Sequence, residues 1–300
     1  MGVRMNTTDS SRGFRVAVIG HTGFVGTAIR THLENRSMTV IPLASRDCNL
    51  LETSAPDRLR EMIPAGSSVI FCSAITRVLR DDFETLQQNL RMAESLVRSA
   101  VGGRYAQVIY LSSTDVYGHH PPTPIRETTP PAPENYYGLA KLVGEHLLRL
   151  SGGPGCSVSV LRLPGMYGPG DGDRSVIGRL AGAMRRGSVT IHGTGEVLRD
   201  YVHVDDVCAL VEHLLLHPVD GVFNVATGRS LSIKELVRRL AQELRLTPRI
   251  DHAGPEPNRA EDQVFDISYL RASFPDLSIS PLDEGLSKYA ASLRLFGDLT

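Results

Sequence analysis

The chain lacks the features that mark secreted, metal-binding, membrane or nucleic-acid-binding proteins. Its four cysteines are far apart and form no Cys-x-x-Cys pair, which favours reduced thiols over disulfides or a zinc site. A net charge of -1 gives no general attraction for nucleic acid or an anionic membrane. No apolar run approaches the roughly 20 residues that cross a bilayer, and no signal peptide is visible. We therefore expect a cytoplasmic globular protein with no metal, nucleic acid or membrane partner.

Short apolar runs alternate with helical patterns along much of the chain. The runs predict strands at residues 14–19, 38–44, 68–74, 107–112, 157–163 and 222–225. The patterns between them predict helices at 28–35, 55–62, 85–101 and 136–150. Strands separated by crossover helices indicate an α/β fold with a doubly wound parallel sheet. Beyond residue 164, clusters of glycine and proline loosen the pattern and indicate a smaller, interleaved C-terminal domain.

A glycine-rich turn joins the first predicted strand to its helix. Glycine permits positive φ and lets backbone N–H groups approach a pyrophosphate at a helix N-terminus. Any parallel sheet can contain such a turn, but the strand and helix on either side favour a dinucleotide site. The residues assigned to it are Gly20, Thr22, Gly23, Phe24, Val25 and Gly26.

The end of the second predicted strand bears on the choice of cofactor. An NAD site usually offers a carboxylate there to the ribose hydroxyls, whereas an arginine accommodates a 2'-phosphate. Ser45 and Arg46 occupy this place and favour NADP(H). The alternative is that Arg46 points into solvent and Asp47 takes the ribose, so NAD(H) stays open.

Tyr137 and Lys141 are four residues apart on a predicted helix, so their side chains share a face. The ammonium of Lys141 is expected to favour the ionised form of the Tyr137 phenol. With Ser113 upstream, this set predicts proton transfer beside a dinucleotide, as hydride chemistry at a carbinol or ketone carbon requires.

Longer motifs extend this pattern. They are Leu-Ser-Ser-Thr-Asp-Val-Tyr-Gly at 111–118, Tyr-Gly-Leu-Ala-Lys at 137–141, Leu-Arg-Leu-Pro-Gly-Met-Tyr-Gly-Pro at 161–169, and Arg-Asp-Tyr-Val-His-Val-Asp-Asp at 199–206. With the glycine turn, they make the chain resemble the extended short-chain dehydrogenase/reductase family, from residue 15 to about 268. The resemblance is to the branch that modifies nucleotide-activated sugars, and it implies a Rossmann fold.

The resemblance implies roles for individual residues. Ser113 would hydrogen-bond the sugar oxygen, Tyr137 would exchange its proton, and Lys141 would also hold the nicotinamide ribose. Arg199 would pair with the substrate diphosphate, and Arg259 is a second candidate for that contact. Other residues implied to line the cofactor or substrate sites are Asn49, Leu50, Ser73, Ala74, Asn89 and Thr114.

Two positions depart from the family pattern. Gly165 stands where related epimerases often carry an asparagine that contacts substrate phosphates, so phosphate contacts must come partly from elsewhere. Asp115 stands where the sugar 4,6-dehydratases have glutamate. It is either an extra acid or base facing the sugar or a carboxylate that caps a nearby loop. Because aspartate is shorter than glutamate and Thr114 replaces an aspartate seen in many dehydratases, dehydration is less supported.

These inferences lead to one hypothesis and several alternatives. The chain is expected to be an NAD(P)H-dependent reductase of a 4-keto deoxysugar nucleotide that transfers hydride at C4. A nucleotide-sugar 4-epimerase with tightly bound NAD is the main alternative, followed by a 4,6-dehydratase and a noncatalytic dinucleotide-binding sensor. A homodimer is expected from the family. We predict a flexible arm at 1–13, a dinucleotide-binding domain at 14–164 with returning segments near 189–226, and a mainly substrate-binding domain at 165–300.

Overall fold

The computed structural model describes residues 15–254 and 262–297. The predicted arm at 1–13 and the candidate phosphate-binding residue Arg259 lie outside the described residues. The strands are β1 (Arg15–Ile19), β2 (Thr39–Leu43), β3 (Ser68–Phe71), β4 (Gln107–Ser113), β5 (Ser157–Leu163), β6 (Gly165–Tyr167), β7 (Ser188–His192), β8 (Leu198–Arg199), β9 (Tyr201–His203), β10 (Gly221–Asn224), β11 (Leu231–Ser232) and β12 (Arg249–Ala253). The α-helices are α1 (Phe24–Asn35), α2 (Ala55–Met62), α3 (Phe83–Ala100), α4 (Tyr136–Ser151), α5 (Val176–Arg185), α6 (Val204–Leu216), α7 (Ile233–Leu244), α8 (Ser268–Ser273) and α9 (Leu282–Gly297).

The central sheet has six strands in the order β10-β5-β4-β3-β1-β2, and every neighbouring pair is parallel. The predicted parallel α/β sheet is therefore confirmed. Its six strands are those predicted from the apolar runs, and they differ mainly at their ends. The prediction for β3 extends three residues too far, because residues 72–74 already belong to the loop that follows it.

The strand order reverses beside β1, since β2 lies on one side of it and β3 on the other. In open α/β sheets, ligands bind outside the carboxyl ends of the strands at such a reversal. The loops after β1 and β3 meet at this point: a Cβ built on Gly20 would lie 2.7 Å from Ser73 Oγ. The topology therefore places the glycine turn at the expected binding crevice.

Helices cover both faces of the sheet. On one face, Leu33 of α1 and Leu210 of α6 belong to one buried apolar cluster with the strands. On the other, Leu59 of α2, Leu96 of α3 and Leu148 of α4 belong to a second cluster. Because helices cover both faces of the sheet, the central strands are continuous apolar runs rather than runs in which apolar and polar residues alternate.

The elements after β5 build a third apolar cluster that includes Ile177 of α5, Leu236 of α7 and Leu286 of α9. The β10 strand leaves this region and pairs with β5 at the edge of the central sheet. The division into two domains near residue 164 stays a prediction, and this separate cluster is consistent with it. No helix in the described part of the chain is long and apolar enough to cross a bilayer.

Candidate active site

The glycine turn is shaped to admit a large anion. Gly20 has φ of +89°, a conformation that side-chain-bearing residues rarely adopt. A Cβ on Gly26 would lie 2.2 Å from the carbonyl oxygen of Gly20, so the turn and α1 can pack only without one. The N-cap of α1 is Gly23, which makes no side-chain capping bond, and the first turn of the helix holds no acidic residue. The helix N-terminus thus keeps free N–H groups for a pyrophosphate, and the residues present fit a dinucleotide.

The end of β2 presents the exposed guanidinium of Arg46 and the less exposed carboxylate of Asp47. Asp47 Oδ2 accepts the N–H of Ala44 at 2.9 Å, so this carboxylate closes its own turn. The side chain of Arg46 is 77% exposed, and its Nε lies 3.8 Å from Asp47 Oδ1. This geometry leaves the arginine able to meet a 2'-phosphate.

The loop after β3 is held by Asn89 of α3. Its side chain donates to the carbonyl of Ile75 at 2.9 Å and accepts the N–H of the same residue at 2.8 Å. Asn89 therefore fixes the backbone of the loop that carries Ser73 and Ala74. Its role in supporting the cofactor region stays a prediction. The two hydrogen bonds to Ile75 are the contacts through which Asn89 would support that region.

Ser113 is the last residue of β4 and caps the short 3₁₀ helix Thr114–Tyr117. Its Oγ accepts the N–H of Asp115 at 3.1 Å. The first turn of α4 packs directly on this helix, because a Cβ on Gly138 would lie 2.5 Å from the Asp115 carbonyl oxygen. The glycine after Tyr137 is thus what lets Ser113, Asp115 and Tyr137 come together.

Lys141 is buried beneath the same surface, with 4% of its area exposed. Its Nζ donates to the carbonyl of Leu111 at 2.7 Å and lies 5.6 Å from the centre of the Tyr137 ring. Burial lowers the pKa of Lys141 to about 8, while Cys72 and Glu145 act in the opposite direction. The predicted pairing of Lys141 with Tyr137 on one face of α4 is present.

The predicted depression of the Tyr137 pKa is not found in this structure. Burial, followed by the carboxylate of Asp115, raises the pKa of the phenol, and Arg77 opposes that rise. The ammonium of Lys141 donates to the Leu111 carbonyl, and the charged groups that shift the pKa of the phenol are Asp115 and Arg77. Tyr137 accordingly holds its proton near neutral pH.

Two residues of the loop after β3, Arg77 and Asp81, contact the candidate site but were not among the site residues predicted from the sequence. Arg77 Nε lies 3.0 Å from Asp115 Oδ2, and Asp81 Oδ1 accepts the N–H of Tyr137 at 2.9 Å. Their position in an irregular loop gave no sequence signal. Asp115 is largely buried, with 18% of its side chain exposed, and burial raises its pKa while Arg77 lowers it.

A buried ion pair joins α4 to β5, one helical turn beyond Lys141. Arg162 Nη2 donates to Glu145 Oε2 at 2.7 Å, and Ser112 Oγ donates to Glu145 Oε1. Arg162 Nη1 also donates to the hydroxyl of Tyr117 at 2.8 Å. The sequence carried a signal for this pair, since Glu145 continues the four-residue spacing of Tyr137 and Lys141 and Arg162 interrupts an apolar strand.

The remaining candidate residues occupy varied environments. Thr114 is buried at the start of the 3₁₀ helix, and Arg199 is half-buried in β8, where its Nη1 donates to the Leu198 carbonyl at 2.7 Å. Leu50 packs its side chain into the core, and Asn49 Oδ1 accepts the N–H of Leu51 at 3.1 Å. Any contact of Leu50 with a cofactor would therefore come through its backbone.

A glycine turn at a sheet reversal, with a serine at the end of β4 and a tyrosine and a lysine on the helix α4 that follows, defines a class of dinucleotide-dependent enzymes. Residues 16–226 match the model of the NAD dependent epimerase/dehydratase family, and the chain belongs to this family. It is similar to GDP-6-deoxy-D-mannose reductase of Pseudomonas aeruginosa, with 32% identity over 86% of this chain and 89% of the relative. It is also similar to GDP-L-fucose synthase of Escherichia coli, with 27% identity over 85% of this chain and 89% of the relative.

Solved structures agree with this assignment. RMD from Pseudomonas aeruginosa, complexed with NADPH, superposes with a TM-score of 0.82 and 26% identity over 94% of this chain and 99% of that one. UDP-glucose 4-epimerase from Thermotoga maritima, with UDP-glucose, superposes with a TM-score of 0.84. At 23% identity over 94% of this chain and 99% of that one, the second likeness concerns the fold. Both NADPH and NAD occur among these structural neighbours.

Proposed function

We propose that the protein is an NADPH-dependent reductase that converts a 4-keto deoxysugar nucleotide into the corresponding 4-hydroxy sugar. The observation that carries this proposal is the environment of Tyr137. Burial of the phenol, followed by the neighbouring Asp115 carboxylate, raises its pKa above the ordinary value, so Tyr137 carries its proton at neutral pH. A protonated tyrosine is a proton donor to a keto oxygen, which is what reduction needs, whereas oxidation of a sugar hydroxyl needs a base.

The residues of the site have complementary roles in this reaction. The reduced nicotinamide, when bound, supplies the hydride for the keto carbon. Tyr137 donates its hydroxyl proton to the keto oxygen, and Ser113 orients that oxygen by hydrogen bonding. The Lys141 ammonium, 5.6 Å from the ring centre, stabilises the phenolate left behind.

The choice of NADPH is supported by the end of β2. Arg46 is exposed there, so a 2'-phosphate would meet a cation, whereas one oxygen of the Asp47 carboxylate already accepts the N–H of Ala44. The NADPH complex of the similar RMD structure supports the same choice. Relatives named as reductases act on GDP- and dTDP-linked sugars, which makes both nucleotides candidates for this chain.

Following NADPH absorbance with a panel of GDP-, dTDP- and UDP-linked 4-keto-6-deoxy sugars tests the proposal. We expect one of them to be reduced, with NADPH consumed and sugar alcohol formed in equal amounts. Tyr137→Phe should bind NADPH normally, because the phenyl ring keeps the packing, but should lose the proton donor and at least about a hundredfold in kcat. Turnover that survives nearly unchanged in Tyr137→Phe, or a panel left wholly untouched, would contradict the proposal.

A nucleotide-sugar 4-epimerase is the second candidate. It is favoured by the likeness to UDP-glucose 4-epimerase of Azospirillum brasilense, which is 25% identical over 79% of this chain. An epimerase oxidises and re-reduces one sugar and therefore retains its cofactor. Denaturing the purified protein and identifying the released nucleotide distinguishes the two: stoichiometric NAD favours the epimerase, and an exchangeable NADPH site favours the reductase.

A further inference from the structure

The loop between β3 and α3 contacts the 3₁₀ helix Thr114–Tyr117 at one point and the start of α4 at another. The side chain of Arg77 meets the carboxylate of Asp115 at 3.0 Å, and Asp81 accepts the backbone N–H of Tyr137 at 2.9 Å. At its beginning, the same loop is held by the two hydrogen bonds between Ile75 and Asn89. The backbone of the loop is therefore held by hydrogen bonds on both sides of Arg77.

Asp115 lies between Ser113 and the first turn of α4. Its backbone N–H bonds Ser113 Oγ, and Gly138 of α4 packs on its carbonyl oxygen. Its carboxylate adds to the larger effect of burial in raising the pKa of the Tyr137 phenol. A carboxylate buried at this depth needs a cation or hydrogen-bond donors to stay charged.

We infer that Arg77 is a positioning residue, whose guanidinium holds the Asp115 carboxylate against Ser113 and Tyr137 as an acceptor for a sugar hydroxyl near the reacting carbon. This inference rests on the proposed function for the identity of the sugar. The pairing of Arg77 with Asp115 does not depend on that function. A hydroxyl donor on the substrate would replace water on a carboxylate that is already oriented. A sugar lacking that hydroxyl would leave a buried acceptor unpaired and would bind more weakly.

The groups that act on Asp115 come from several elements. Arg77 and Asp81 face it from the loop after β3, Ser113 from the end of β4, His119 from the loop after the 3₁₀ helix, and Tyr137 from α4. Arg77 has the largest effect among the groups that lower the pKa of Asp115. Its removal should make the carboxylate harder to ionise, and the weaker effects of Ser113 and His119 should not compensate.

The first experiment measures the titration of Asp115 without turnover, by ¹³C NMR of protein labelled at aspartate carboxyl carbons, with Asp115→Asn assigning the signal. We expect Arg77→Met to raise the midpoint by about one pH unit or more, since a cation at this distance typically depresses a carboxyl pKa by that amount. Arg77→Lys, which keeps the charge, should recover at least half of the shift. Arg80→Met is the matched control, because Arg80 lies in the same loop but pairs with Asp82 and Glu84.

The second experiment separates KM from kcat for the sugar nucleotide. Arg77→Met should raise KM about tenfold or more, corresponding to one lost charged hydrogen bond, and should add nothing in an Asp115→Asn background. NADPH affinity, measured by fluorescence, should stay as in the wild type. An unchanged Asp115 midpoint in Arg77→Met, or an equal KM effect with and without Asp115, would overturn the inference. If no 4-keto sugar is turned over, the proposed function fails, and the NMR midpoint still decides the role of Arg77.

Discussion

Replacing Glu145 by glutamine should destabilise the fold strongly, although the two side chains have the same shape. The carboxylate of Glu145 accepts Arg162 Nε at 3.0 Å, Arg162 Nη2 at 2.7 Å and the hydroxyl of Ser112. The two charged side chains are only 3% and 6% exposed. An amide in this place would turn an N–H₂ group towards existing donors and leave the guanidinium without its counter-charge.

The expected cost is about 3–5 kcal/mol in the free energy of unfolding, the range found when one partner of a buried ion pair is removed. Urea unfolding followed by circular dichroism measures it. Arg162→Met should cost a similar amount by stranding the carboxylate. The Glu145→Leu/Arg162→Met double variant should cost clearly less than the two single changes added together, because neither charge is then left alone.

An exposed pair provides the matched control. Lys234 Nζ lies 3.0 Å from Glu196 Oε1, and both side chains are more than 60% exposed. Glu196→Gln should therefore change stability far less than Glu145→Gln, since solvent screens the pair. Equal effects at the two glutamates, or a cost below about 1 kcal/mol for Glu145→Gln, would refute the reasoning about burial.

Other predictions concern the cofactor site and its pH dependence. Arg46→Ala should raise the KM for NADPH about 10- to 100-fold and leave NADH use nearly unchanged, since only the 2'-phosphate contact is lost; initial rates with both cofactors check this. Because the pKa of Lys141 is about 8, kcat/KM for NADPH should fall above that pH. Glu145→Gln should move the fall to lower pH. Gly26→Ala should fold poorly, because its Cβ would lie 2.2 Å from the Gly20 oxygen, whereas Gly23→Ala, at 3.5 Å, should keep a wild-type melting temperature.

The buried lysine also affects stability in a direction that can be tested without substrate. Its pKa is lowered from 10.5 to about 8 in the folded protein, so between these values the unfolded chain binds a proton that the folded chain does not. The contribution of Lys141 to the free energy of unfolding should therefore increase as pH rises through this window. Urea midpoints measured at pH 7.5 and about 9.5 for the wild type and for Lys141→Met isolate that contribution. If the midpoint changed equally with pH in both proteins, the prediction would be contradicted.

The sequence alone determined the parts of this protein that depend on local pattern. Apolar runs broken by helical stretches were enough to predict the parallel sheet, because strands covered on both faces must be apolar throughout. The glycine spacing at 20, 23 and 26 and the four-residue spacing of Tyr137 and Lys141 were enough to predict the two halves of the site. These features are encoded within a few residues of one another, so a local pattern is enough to recognise them.

Only the tertiary structure paired the charged side chains at the candidate site and behind it. Arg77 and Asp115 are 38 positions apart, and Glu145 and Arg162 are 17 apart. The first pair depends on how the loop after β3 packs against the 3₁₀ helix, and the second on how α4 packs against β5. The protonation of Tyr137 likewise reflects burial and the nearest carboxylate rather than the lysine beside it in the helix. Desolvation and charge proximity are properties of the packed site, because the space around a group, and not its neighbours in sequence, sets its dielectric environment.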